Sequence, residues 1–194
     1  MQKLYTKTGD KGESSLLNGE RLSKRSLVFE VLGTLDEFNA HLGLLLTLFP
    51  AFKGELQNND HKKMATSQQE FLLRLQNELF NIGAEVAGSP RPLLQPGFLL
   101  ALEKQIDAIQ DLMAKTWRQR FVLPGASPIA AEIDVARTVC RRAERLLAAL
   151  DAERDIRESL LKVMNRSSDY LYALRNFCNW SLGVEEIEYR APKK

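Results

Sequence analysis

The chain has 194 residues, 44% of them hydrophobic and 27% charged, with a formal net charge of +2. Those values fit one globular domain over 1–194 with a single core. They leave no overall charge for attracting nucleic acid, so any basic site has to be local. No apolar run reaches the roughly 18 residues of a membrane span, so no membrane partner is expected.

Residues 1–26 have no helical period. They contain the run Thr6-Lys7-Thr8-Gly9-Asp10-Lys11-Gly12-Glu13-Ser14-Ser15. Glycines that allow close backbone approach, two lysines and several hydroxyls suit a loop wrapped around an anion. The glycine spacing is not that of a Walker A loop, and an ordinary polar arm has the same composition. The start, Met1-Gln2-Lys3-Leu4-Tyr5, has neither a signal-peptide core nor a transit-peptide bias. Cytoplasm is therefore the expected compartment. Cys140 and Cys178, each within a helical pattern, are expected as buried reduced thiols.

A first helix is expected over 27–48, with Ser26 as cap and Pro50 as terminator. Val31, Leu35, Phe38, Leu42 and Leu45 form its inner stripe. Glu37 and His41 stand four apart, half of a bundle metal site, but no Glu-x-x-His partner follows, and no metal ligand is assigned. Residues 50–66 read as a polar connection with a solvated His61. Ser67-x-x-Glu70 then reads as a capping box opening a second helix to Ala87. After a link stiffened by Pro90, Pro92 and Pro96, a third helix is expected from Gly97 to Trp117. Phe121–Ala126 is a short apolar turn. Ser127-Pro128 supplies a cap and an N1 proline for a fourth helix to Leu150.

On that fourth helix, at about 100° per residue, Arg137, Arg141, Arg145, Glu144 and Asp134 share one face. Val135, Val139, Ala143, Leu146 and Leu150 fall opposite, and Arg142 falls beside the core side, where it needs a partner. Two readings remain open here. One is a solvated face of i,i+4 ion pairs. The other is a row of forked donors for a polyanion such as triphosphate. A fifth helix, 155–183, aligns Asn165, Asp169, Tyr172, Asn176 and Asn179 in a polar stripe. Five helices with short connections and no strand pattern of weight make an all-α, five-helix antiparallel bundle (27–183) behind a non-helical N-terminal loop.

Five stretches together resemble the PduO-type ATP:cob(I)alamin adenosyltransferases: TKTGDKG, FEVLGTLDEFN, FVLPG, ARTVCRRAER and NRSSDYLYALRN, in order over residues 3–182. The resemblance implies a homotrimer with sites between subunits. It also implies transfer of the 5′-deoxyadenosyl group of ATP to cobalt(I) of cobalamin or another corrinoid, with Mg²⁺ bridging the phosphates and triphosphate released. A non-catalytic corrinoid or nucleotide carrier on the same fold is the alternative. A corrinoid reductase upstream and an adenosylcobalamin-dependent enzyme downstream are the implied protein partners.

Carried residue by residue, the resemblance makes the N-terminal loop an ATP-binding arm. It assigns Thr6, Lys7, Thr8, Gly9, Ser14, Ser15 and Lys24 to its side of the ATP site. Arg141, Arg142, Glu144, Arg145 and Asn165 hold ATP from the helices. Asp36 pairs with Arg137 across a subunit boundary, and Phe121 presses on the lower corrin face. The chain departs from the family pattern at Ala126, where a second glycine is usual, and at Asp134, where histidine is common.

Overall fold

The computed structural model describes residue 5, residues 7–117 and residues 121–192. Two short strands, β1 (Glu13–Ser15) and β2 (Arg21–Ser23), precede five helices: α1 (Leu27–Glu55), α2 (Asn59–Val86), α3 (Phe98–Leu112), α4 (Pro128–Asp151) and α5 (Glu158–Leu182). The central pair is α4 and α5. Helix α1 packs on α4, α2 on α1, and α3 on α5. One apolar core runs through all five, from Val31, Phe38 and Leu45 on α1 to Leu171, Leu174 and Phe177 on α5.

The bundle is as expected, and its boundaries differ in four places. The arm is not wholly irregular: β1 and β2 pair antiparallel, with Ser14 opposite Leu22. Three-residue strands are too short to leave a periodic signature. Helix α1 runs through Pro50 to Glu55. The lost backbone hydrogen bond, about 3 kcal/mol, is offset by burial of Phe49 and Phe52 on either side of it.

Helix α2 starts at Asn59, not Ser67, because the Asn58 side chain accepts from the amides of Asp60 and His61. Ala65 and Gln68 are already buried there, so the core stripe extends upstream. His61 is not simply solvated; its ring lies 4.5 Å from that of Trp180. Helix α3 ends at Leu112, short of Trp117, in turns that leave the Trp117 side chain beside a surface trough.

Helix α4 caps as expected, with Ser127 Oγ accepting from the Ala130 amide. Its buried face keeps Val139, Ala143 and Leu150 as expected but shifts toward the edge of the expected stripe. Ala136, Cys140, Ala143, Leu147 and Leu150 are buried, Leu146 is half-buried, and Val135 is 43% exposed. Two neighbours, α1 and α5, flank the helix, so its inner stripe centres on small residues that permit close approach on both sides. Both cysteines are buried and unpaired. Burial pushes both thiols well above their ordinary pKa.

The proline-rich link between α2 and α3 is held by carboxylates. Glu85 accepts from the amides of Leu93 (2.7 Å) and Leu94 (2.6 Å) and pairs with both ends of the Arg157 guanidinium. Burial raises the Glu85 pKa, but the Arg157 pair and the two amides outweigh it, so the group sits below its ordinary value. A depressed carboxylate stabilises the fold above its unfolded pKa, about 4.3 for Glu, and loses that contribution as pH falls through the folded value. Glu85→Gln is expected to cost about 1–3 kcal/mol at pH 7. The gap in melting temperature from the parent narrows below pH 4. Equal gaps at pH 7 and pH 3.5 would refute the assignment.

Candidate functional site

The arm is built to present a short loop. Arg21 ties the hairpin to that loop, donating from Nε to Glu13 (2.8 Å) and from Nη2 to the Thr8 carbonyl (2.7 Å). The Asp10 and Gly12 amides turn back on the carbonyls of Lys7 and Gly9. Lys7 adopts a positive φ of 60°. A side chain at Gly9 would meet Lys24 Nζ at 3.1 Å, so glycine leaves room for that ammonium against the loop. The structure thus groups Lys7, Thr8, Gly9, Ser14, Ser15 and Lys24. Thr6 lies outside the described residues. The hairpin is anchored by a bidentate pair between Glu20 and Arg154 at the α4–α5 corner (2.9 and 3.0 Å) and by the Leu17 amide on the Ala87 carbonyl (2.8 Å).

On α4 the charged residues divide among neighbours. Arg142 pairs with Glu37 of α1, the partner its place beside the core required. Glu144 accepts from Asn165 Nδ2 of α5 at 2.7 Å. Arg145 is exposed and donates back to the Arg141 carbonyl. Arg137 pairs with Asp134 at 3.3 Å. Asp36 is exposed and lines a different groove of the protomer, between α1 and α2, beside Leu17 and Phe80. His41 pairs with Glu132 (2.7 Å), so Glu37 and His41 are each engaged elsewhere rather than with one another.

Two adjoining cavities open along α5. One, of about 610 Å³, is lined by Arg137, Arg141, Arg166, Asp169 and Ile106. The other, of about 1030 Å³, is lined by Val122, Asn176, Trp180, Val184 and Ile187. Trp117 and Tyr172 line both. The result is a trough whose smaller end sets Arg137 and Arg141 beside an Arg166 already paired to Glu103 and Asp169, and whose larger end sets Trp117, Tyr172 and Trp180 among charged side chains; together they exceed what a drug-sized ligand requires.

Phe121, next in sequence to the trough-lining Val122, is 88% exposed. Its backbone is fixed: the Phe121 carbonyl accepts from the Tyr189 amide, and the Leu123 amide donates to Ile187, both at 2.8 Å. The turn then passes through two positive φ values, 106° at Gly125 and 83° at Ala126. The second explains why glycine is usual there. Alanine costs about 1–2 kcal/mol in the left-handed region.

A buried cluster behind the turn answers for that strain. Arg175 is 1% exposed. It donates to Asp134 Oδ2 (3.2 Å), to Asn176 Oδ1 (3.0 Å) and to Glu186. Asp134 also accepts from the Gly125 amide (3.0 Å), and Asn179 bonds Ser127, the Gly125 carbonyl and Glu186. Arg175 did not stand out in the sequence reading. Its signal was an arginine on the apolar face of a helix, between Leu171, Leu174 and Cys178, which demands buried partners. Arg166, bridging Glu103 and Asp169 across α3 and α5, carries a weaker signal of the same kind.

A family model described as cobalamin adenosyltransferase matches residues 4–178. The corrinoid adenosyltransferase of Bacillus subtilis is 37% identical over 96% of this chain and 92% of its own length. The cobalamin adenosyltransferase of Cupriavidus metallidurans is 32% identical over 100% and 97%. A variant PduO-type ATP:corrinoid adenosyltransferase from Lactobacillus reuteri, solved in complex with cobalamin and ATP, superposes with a TM-score of 0.82. It is 28% identical and covers 97% of this chain and 100% of that one.

Proposed function

The chain belongs to the cobalamin adenosyltransferase family, and from that premise we propose that it transfers the 5′-deoxyadenosyl group of ATP to cobalt(I) of a corrinoid. The observation that carries this reading is the trough itself. Arg137 and Arg141 line its smaller end and share Trp117 and Tyr172 with a larger end broad enough for a macrocycle. A polyanion and a large flat apolar ring are the two ligands such a surface suits.

In the reaction, cobalt(I) attacks the ribose C5′ with its electron pair. The Co–C bond forms, the C5′–O bond breaks, and triphosphate leaves with that bond's electrons. The nucleophile is the substrate's metal, so the protein needs no activated Ser, Cys or His. Its work is to orient C5′ over cobalt and to stabilise charge on the leaving triphosphate. Arg141, Arg142, Arg145, Glu144 and Asn165 are the ATP-holding groups of the helices. Thr6, Lys7, Thr8, Gly9, Ser14, Ser15 and Lys24 close over the phosphates from the arm.

No group of three His, Cys, Asp or Glu that could hold a metal occurs among the described residues. Mg²⁺ would bind with ATP, as is usual for nucleotide triphosphates, and would supply charge to offset the phosphates. Phe121 presses on the corrin face and displaces an axial ligand. Its exposure on a fixed backbone supports that role.

The whole chain, 1–194, acts as one domain in a homotrimer. Asp36 and Arg137 line separate grooves of a protomer, which supports their pairing between neighbouring subunits. Asp36→Asn is expected to weaken the trimer and lower activity while the protomer's helicity is kept. Unchanged sedimentation and an unchanged rate would count against the pair. Among the described residues no helix is long and apolar enough to cross a membrane. Two buried free thiols suit a reducing compartment, the cytoplasm. A reductase must supply cobalt(I), and an enzyme using the adenosylated corrinoid must consume the product.

The deciding assay mixes ATP, Mg²⁺ and chemically reduced cob(I)alamin and follows formation of the light-sensitive Co–C bond. ATP binding without product would mark a carrier. Absence of ATP binding would remove the reading altogether.

A further inference from the structure

The cluster behind the Phe121 turn joins parts of the molecule that have different tasks. Asp134 sits on α4 and Arg175 on α5, while Glu186 belongs to the segment after α5 that runs beside the turn. That segment, through Val184, Glu186, Ile187 and Glu188, lines the larger cavity. It is paired to the turn by the Val122–Glu188 bridge. Asp134 divides its two oxygens. Oδ2 takes Arg175 and the Gly125 amide, whereas Oδ1 takes Arg137 from the smaller end of the trough.

Packing alone does not account for these choices. Well-packed apolar residues would fill the same space at no greater cost in stability. Resting on the adenosyltransferase reading, we propose that the Asp134–Arg175–Glu186 bridge is a positioning device for the reaction. Glu186 and Arg175 clamp the turn and the C-terminal segment together as one wall, which sets the height of Phe121 over the corrin. The shared carboxylate of Asp134 ties that wall to the orientation of Arg137. The corrin side and the nucleotide side of the site are thereby held in one register. Asp134 and Arg175 are buried and line neither cavity, so they act through the wall, and Glu186, at the cavity's edge, acts through its bond to Arg175.

The test uses the full chain with ATP, Mg²⁺ and cob(I)alamin, and compares Glu186→Gln with Asp134→Asn. Each variant is first checked for melting temperature and assembly, and rates are expressed per folded site. Glu186→Gln loosens only the wall, so the KM for cob(I)alamin is expected to rise about tenfold while the KM for ATP stays within about twofold. Asp134→Asn releases both sides, so kcat falls about tenfold and the KM for ATP rises as well.

Binding of the cobalt(II) corrinoid in the presence of ATP gives a second readout. Its absorption spectrum shifts toward the form retaining the axial ligand in both variants. Wild-type kinetics and spectra in both would overturn the proposal, as would activity that falls only with the folded fraction. A parent chain that forms no Co–C bond would remove the adenosyltransferase reading and the bridge with it. A parent that turns over beside indifferent variants would remove the bridge alone.

Discussion

Arg141→Ala lowers kcat/KM for ATP by about 10²-fold, the cost of removing one donor aimed at developing negative charge. Arg141 is exposed, lines the smaller cavity and makes no side-chain ion pair among the described residues, whereas Arg137 engages Asp134 and Arg142 engages Glu37. Its removal therefore disturbs little of the fold, and the melting temperature stays within about 2 °C of the parent. The effect is electrostatic and geometric together, so Arg141→Lys restores only part of the rate. A lysine keeps the charge but loses the fork that grips two phosphate oxygens. The measurement is a steady-state titration of ATP at saturating cob(I)alamin. A near-parental kcat/KM for Arg141→Ala would remove Arg141 from the triphosphate site.

Phe121→Ala is the second large effect, on the other substrate. Full burial of a phenylalanine side chain is worth about 1.5–3 kcal/mol, and Phe121 is 88% exposed, so nearly all of that contact is available to a ligand. If the ring is covered by corrin at the transition state, its loss lowers the rate by roughly 10- to 100-fold. The KM for ATP is expected to stay unchanged, because Phe121 does not line the arginine-bearing cavity. Stability is unaffected, since the backbone contacts of Phe121 to Tyr189 survive the substitution. A KM for ATP that moved with kcat would place Phe121 in the nucleotide site instead.

The arginine face of α4 illustrates how far residue order reaches. Periodicity put Arg137, Arg141 and Arg145 on one side and left Arg142 apart, needing a partner. It did not identify Glu37 as that partner, because the two are 105 residues apart in sequence. It also centred the core on Val135 and Leu146, since a hydrophobic pattern weights large side chains. The packing keeps Val139, Ala143 and Leu150 but centres on Ala136 and Cys140, where two helices press from both sides.

Helix α5 was legible in its αL stop at Gly183 and in its buried Val163, Leu171 and Leu174. Its stripe was not uniform, because Asn165 is exposed whereas Asn179 is buried against Ser127 and Gly125. The boundaries at Pro50 and Ser67 followed local rules that tertiary burial overrode. The Asp134–Arg175–Glu186 bridge lay beyond local reasoning, since its members are brought together only by the packing of α4 against α5.

The buried thiols have a meaning for a cobalt substrate. Cys140 is next to Arg141 in sequence, yet its side chain points inward and donates toward the Met164 carbonyl at 3.5 Å. Thiolate is a soft ligand with high affinity for transition metals. An exposed one beside the trough would compete to coordinate cobalt on the very face where an axial ligand must be given up. Burial keeps Cys140 protonated and out of reach. The half-turn that aims the arginines outward also turns the sulfur away, so the helix offers the corrinoid hard cations for its leaving partner and no soft donor for its metal.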